Sequence, residues 1–113
     1  MNILVADVFP ESFLKEMQKW GHTVVYEPDL GADVLPKRIK GINILVVRST
    51  EVTAETVEAS DDLSLVIRAG SGVNTIDLDA CAKRGIFVSN CPGLNSVAVA
   101  ELTMAHILAL DRN

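Results

Sequence analysis

Two arginines stand where two apolar runs stop. Arg48 ends the run 42–47 and is followed by Ser49 and Thr50. Arg68 ends the run 63–67 and opens the segment Arg68-Ala69-Gly70-Ser71-Gly72. A guanidinium is a planar fork that fits carboxylate or phosphate oxygens two at a time. Gly70 and Gly72 lack side chains, so backbone there can approach a ligand closely and turn its amides outward as a nest for an anion. Ser49 and Thr50 add hydroxyl donors. Residue types in this order describe a small-anion site, and a phosphorylated acid fits it. The plainer alternative is that both arginines form surface ion pairs with neighbouring carboxylates, which are common and contribute little.

Other chemistry finds less support. The segment 70–75 resembles a dinucleotide fingerprint after a strand, but Thr75 stands where the third glycine belongs. The run 86–88 ends in Ser89-Asn90 rather than in a ribose-binding acid. A phosphoryl-accepting receiver domain would need acids after the first and third strands. Asp7 supplies one, whereas Arg48 and Ser49 occupy the other position. His22 follows a helix end, and His106 lies in an apolar helix, where a structural histidine is the simpler reading. Met17 and Trp20 at helical spacing read as core. Cys81 and Cys91 have no metal-ligand spacing and read as free thiols. No metal site is expected.

The elements that must position these residues alternate along the chain. Apolar runs at 3–6, 23–26, 42–47, 63–67 and 86–88 read as strands, and their near-continuous apolar character suits parallel strands covered on both faces. Helices are expected over 10–20, within 33–39, from a Thr53 cap through 57, from an Asp77 cap to about 84, and from Ser96 to about 111. Five strands with intervening helices predict an α/β fold: a flavodoxin-like, open, five-stranded parallel sheet with helices on both faces. Its ligands collect beyond the carboxyl ends of the strands, which selects the loops 48–50, 68–72 and 90–95. The last helix is apolar almost all round, so it is expected to be buried against an oligomer partner or a further domain.

With 113 residues the chain makes one compact domain. Hydrophobic residues at 49% and charged residues at 22% exclude a disordered chain. The net charge of −5 excludes a general attraction to nucleic acid or anionic membrane, so an anionic ligand must be held by a few local cations. No apolar run reaches the roughly 18 residues of a membrane span, and the amino terminus lacks a secretory pattern. A cytoplasmic location is expected.

Several segments in order carry a family resemblance: Leu45-Val46-Val47-Arg48-Ser49, Val52-Thr53-Ala54-Glu55, Arg68-Ala69-Gly70-Ser71-Gly72-Val73, Arg84-Gly85-Ile86, Asn90-Cys91-Pro92-Gly93, and Asn95-Ser96-Val97-Ala98-Val99-Ala100-Glu101. Together they resemble the amino-terminal region of the D-isomer-specific 2-hydroxyacid dehydrogenases over nearly the whole chain. The resemblance implies a substrate-binding domain over 1–95, with 96–113 a helix that leads into an NAD-binding domain and forms much of a homodimer interface. It implies that Arg48 meets a substrate phosphate beside Ser49, and that Arg68 is the second basic position. The amides of Ala69, Gly70, Ser71 and Gly72 would hold the substrate carboxylate. Ser71 would also touch the NAD cofactor, and Asn95 would lie near the substrate.

The expected activity is NAD-dependent oxidation of a small anionic 2-hydroxy acid, with 3-phosphoglycerate in L-serine biosynthesis favoured by the paired arginines. The alternatives are a glycerate, glyoxylate or hydroxypyruvate reductase of the same family, or a non-enzymatic small-anion module. Asn74-Thr75 stands where the family usually has Asp-Asn. The 113 residues also include neither a dinucleotide motif nor the family's catalytic histidine, assisting acid and orienting arginine, so the chain alone is expected to be inactive.

Overall fold

The structure, a computed structural model, describes residues 1–70, 75–90 and 96–111. Its elements run β1 (Asn2–Val5), α1 (Glu11–Lys19), β2 (Thr23–Tyr26), α2 (Gly31–Arg38), β3 (Ile44–Val47), α3 (Ala54–Ala59), β4 (Leu65–Arg68), α4 (Leu78–Lys83), β5 (Phe87–Asn90) and α5 (Ser96–Asp111). The five strands form one sheet in the order β2-β1-β3-β4-β5, all pairs parallel. This is the flavodoxin-like order predicted from the alternation of runs.

Side-chain alternation explains why the strands are apolar throughout. Leu4, Leu45, Val47 and Val66 point to one face and pack with Leu35 and Ile39 of α2, Val57 of α3 and Cys81 of α4. Ile3, Val5, Ile44, Val46, Leu65 and Ile67 point to the other and pack with Phe13 and Met17 of α1 and Ala100 and Ile107 of α5. Every residue of β3, and all of β1 and β4 except the exposed Asn2 and the half-buried Arg68 at their ends, is buried on one side or the other, the pattern a two-faced parallel sheet requires.

Local signals fix the helix starts. The Thr53 hydroxyl accepts the N–H of Thr56 at 3.4 Å, and the Asp77 carboxylate accepts that of Ala80 at 3.0 Å. Gly85, with φ of 69°, ends α4 in a left-handed turn that leads into β5. The Arg84 guanidinium donates to the carbonyls of Glu58 and Ser60 at 3.0 and 2.9 Å, tying the end of α3 to α4. Cys81 is a free, buried thiol, and burial pushes its pKa up, with the Asp77 charge adding to the shift.

The last helix packs here on α1 and the sheet. Ala100, Thr103 and Ile107 face inward, while Leu108 is 50% exposed. Helical spacing thus gives α5 one covered face and one that still offers apolar surface to solvent. Among the described residues, no helix is long and apolar enough to cross a membrane.

Candidate functional site

The carboxyl ends of β3 and β4 are adjacent by register. Val47 pairs with Arg68, so Arg48 lies one residue beyond the partner of Arg68 on the same rim. Arg68 is the last residue of β4, and strand alternation sets it on the side of Val66. Arg48 lies past the end of β3 in a bend. Arg48 and Ser49 are exposed, while Arg68, Ala69 and Gly70 are half-buried. The structure therefore brings both predicted arginines to one edge of the sheet.

A second link holds the two loops together. Val52 donates its N–H to the carbonyl of Thr75 at 2.8 Å, and Asp77 donates to the carbonyl of Val52 at 2.9 Å, a parallel bridge between Val52 and Ile76. The segments leaving β3 and β4 are thereby stitched to each other just beyond the rim. Nothing in the local sequence announces this bridge.

Three details differ from the sequence expectation. The N–H of Ala69 donates to the carbonyl of Val47 at 2.9 Å, continuing the β3–β4 ladder, so this amide is not presented to a ligand. The Thr50 hydroxyl donates within the protein, 2.9 Å from Asp7 Oδ1 and 3.3 Å from the carbonyl of Ala6. The N–H groups of Arg48, Ser49 and Thr50 all donate to Asp7 Oδ2, at 2.6, 3.1 and 3.1 Å. The donors left on the β3 side of the rim are thus the Arg48 guanidinium and the Ser49 hydroxyl. Ser71, Gly72 and Asn95, assigned to substrate or cofactor from sequence, lie outside the described residues, as does Cys91.

Gly70 also acts differently from expectation. Its φ is not in the left-handed region, so the rotational freedom of glycine is not what the position uses. It uses the missing side chain: a Cβ there would stand 2.9 Å from Arg68 Nη1 and 3.2 Å from Cζ. The Arg68 guanidinium lies folded over Gly70. The contact is with the far end of a flexible side chain, so Gly70→Ala is expected to move the guanidinium rather than the backbone. Thermal unfolding should stay within about 0.5–1 kcal/mol of the unaltered chain, while titration calorimetry with 3-phosphoglycerate should show several-fold weaker binding. Unchanged binding in the folded variant would detach Arg68 from the site.

The residue that sequence reasoning missed is Asp7. Its place after the first strand suggests a receiver-type acid, yet both of its oxygens are engaged by the 48–50 loop. The receiver alternative loses its one acid to this structural use. Among the described residues, no cluster of three metal-ligating side chains occurs. The signal available in the sequence was a single acid directly after the first apolar strand, in a fold whose ligand crevice opens at that strand end.

The start of α4 does not suit a pyrophosphate. The helix after the glycine loop, α4, has only six residues, and its first turn is capped by the Asp77 carboxylate. A pyrophosphate placed there would meet negative charge instead of open amides. Two clefts among the described residues, of about 330 and 310 Å³, share Ala54 and Asp77. Glu58, Asp79, Lys83 and Arg84 line the first and Glu51 the second, so each sets acids beside any anion that enters.

Comparison with known proteins supplies the family. The family model described as "D-isomer specific 2-hydroxyacid dehydrogenase, catalytic domain" matches residues 3–111. D-3-phosphoglycerate dehydrogenase of Methanocaldococcus jannaschii is 40% identical over 114 residues, covering 100% of this chain and 22% of the relative. The human D-3-phosphoglycerate dehydrogenase is 38% identical over 112 residues, covering 98% and 21%. The crystal structure of NAD+-bound 3-phosphoglycerate dehydrogenase from Entamoeba histolytica superimposes with a TM-score of 0.71 at 32% identity, over 80% of this chain and 32% of that one. The chain spans about a fifth of the length of these curated relatives. An open five-stranded parallel sheet with an arginine pair on its carboxyl rim is thus joined to a match over nearly the whole sequence: the chain belongs to the D-isomer specific 2-hydroxyacid dehydrogenases, as part of their catalytic domain.

Proposed function

We propose that this chain is the substrate-binding portion of an NAD-dependent 2-hydroxyacid dehydrogenase that oxidises 3-phosphoglycerate, supplying L-serine biosynthesis in the cytoplasm. The observation that carries the reading is the placement of Arg48 and Arg68 on neighbouring strand ends, in a chain of net charge −5 with few cations to offer. Arg48, exposed beyond β3, takes the phosphate with Ser49 beside it. Arg68 and the loop it opens take the carboxylate, through the amides of Gly70, Ser71 and Gly72, and Asn95 is the further residue assigned near the substrate. Ser71 is the contact to the cofactor. Residues 1–95 form the binding domain, and 96–113 lead toward a nucleotide-binding domain. The apolar surface that α5 leaves open joins a homodimer or a larger oligomer.

NAD, when bound, would supply the hydride acceptor, and Ser71 is the contact these residues offer it. The chain's own part is to fix the acid by its two anionic ends, which orients the carbinol carbon between them and excludes water from the rim. Oxidation further requires a general base on the hydroxyl, and no described side chain on this rim is placed for that. The purified 113-residue chain is therefore expected to bind 3-phosphoglycerate more tightly than D-glycerate at one salt concentration. With NAD and 3-phosphoglycerate it should produce no NADH above background absorbance at 340 nm. Equal affinity for the two acids would favour a glycerate-, glyoxylate- or hydroxypyruvate-type relative. Measurable NADH formation would contradict the assignment of the base to residues elsewhere.

A further inference from the structure

The sheet changes direction between β1 and β3. The helix after β1 packs on one face and the helix after β3 on the other, with α1 among Ile3, Val5 and Ile44 and α3 among Leu4, Leu45 and Val47. In open α/β sheets, a crevice opens at the carboxyl ends of two such strands, and ligands enter it. Here the crevice is filled from within. Asp7, two residues past β1 and 9% exposed, places one carboxylate oxygen against three consecutive backbone N–H groups of the β3 loop, at 2.6, 3.1 and 3.1 Å. Its other oxygen accepts the Thr50 hydroxyl at 2.9 Å. Three successive amides converging on one oxygen form an anion nest, and the anion is the chain's own.

From this arrangement we infer that Asp7 is a positioning residue for phosphate recognition. It acts through Arg48 and does not touch substrate. Two consequences follow from the bonds. The backbone from which the Arg48 side chain departs is held by its own N–H and by the next two, so the guanidinium is presented from a fixed base rather than from a loose loop. The nest is also closed to outside anions, so an acid arriving at this rim is met by the guanidinium, whose fork takes phosphate or carboxylate oxygens two at a time and attracts the more highly charged phosphate more strongly. Asp7 thereby converts a general anion crevice into a site read by one side chain. The inference rests on the proposed reading of Arg48 as the phosphate contact.

The decisive quantity is the ratio of dissociation constants for D-glycerate and 3-phosphoglycerate, measured by calorimetry on the full 113-residue chain. Asp7→Asn keeps the hydrogen bonds: its amide oxygen can accept the same N–H groups, and its NH2 can donate to the Thr50 hydroxyl, which still donates to the carbonyl of Ala6. It should hold the ratio within about twofold of the unaltered chain. Asp7→Ala should lower the ratio about tenfold, to that of Arg48→Ala, while D-glycerate itself binds as before. A merely structural lesion would weaken both acids together. Should Asp7→Ala fail to fold, Thr50→Val removes one of the four bonds and should lower the ratio about threefold.

Amide hydrogen exchange at residues 48–50 gives a readout that needs no ligand. Exchange should be slow in the unaltered chain and in Asp7→Asn, at least tenfold faster in Asp7→Ala, and about threefold faster in Thr50→Val, which keeps the three N–H bonds and loses only the hydroxyl bond. A ratio that survives loss of these bonds, a ratio lost equally in Asp7→Asn, or unchanged exchange would overturn the role of Asp7. A ratio of one in the unaltered chain, with Arg48→Ala no different, would instead overturn the phosphate reading of the rim, and the exchange rates would still decide whether Asp7 holds the loop.

Discussion

Arg48→Ala is expected to raise the dissociation constant of 3-phosphoglycerate about tenfold and to leave that of D-glycerate within about twofold. The guanidinium is exposed at the end of β3, in a bend whose amides are already engaged by Asp7. Among the described neighbours the Thr50 hydroxyl donates inward and the Ala69 amide continues the ladder, so on this loop only the uncharged Ser49 hydroxyl is left beside it. A hydrogen bond to a charged group contributes about 1.5–3 kcal/mol, and each 1.4 kcal/mol is about tenfold in affinity. Solvent screening places an exposed guanidinium at the low end of that range. Screening also fixes the control: raising the salt from about 0.05 to 0.5 M should narrow the difference between the two acids in the unaltered chain and barely change it in Arg48→Ala. A variant that discriminates the two acids as well as the parent would leave the rim without a phosphate ligand.

The second large effect is on stability. Phe13→Ala is expected to destabilise the chain by about 3–5 kcal/mol, the range for truncating a buried aromatic residue. Phe13 is fully buried on α1 within the cluster that covers β1, β3 and β4, and its ring stacks on Phe9 with centroids 4.9 Å apart and planes inclined by 28°. Removing it leaves a cavity under the helix that follows β1 and deprives Phe9 of its ring partner. A domain of this length has on the order of 5–15 kcal/mol in all, so about a fifth or more of the stability should vanish. Urea unfolding followed by circular dichroism measures it, with Val8→Ala as the comparison. Val8 is 63% exposed, and its truncation should shift the midpoint by no more than about 0.5 kcal/mol. Comparable losses in the two variants would place the stabilising core elsewhere.

Much of the architecture was legible because parallel strands covered on both faces announce themselves as unbroken apolar runs. The stretch 42–47 was read as a strand on that ground, and Ile44–Val47 is one. Helix starts were legible where a short polar side chain precedes the helix, as at Thr53 and Asp77, whose caps form as expected. Strand ends were less legible, because pairing with a distant neighbour decides them. β4 extends to the charged Arg68 since that residue pairs with Val47, and β5 extends through the polar Ser89 and Asn90 since they pair with Ile67 and Arg68. No periodicity in 86–90 reports that partnership.

The site was legible in its side chains and opaque in its backbone. Arginine type and position suffice to mark a cation at a strand end. Whether an amide beside it is available depends on acceptors far away in sequence. The nest at 48–50 is closed by Asp7, more than forty residues earlier, and the Ala69 amide by Val47 on the next strand. Gly70 shows the same limit. Its type was noted for backbone freedom, whereas the structure uses the space above it for the Arg68 guanidinium, a contact that depends on the rotamer of another residue.

Amide chemical shifts recorded while 3-phosphoglycerate is titrated into the labelled chain test the anion rim most directly. Saturable shifts are expected at Arg48, Ser49, Arg68 and Gly70, with the opposite edge of the sheet, marked by Asn2, Asn43 and Asp61, unmoved. Saturable shifts centred on that opposite edge or on the clefts beside Asp77, with the arginine rim silent, would contradict it.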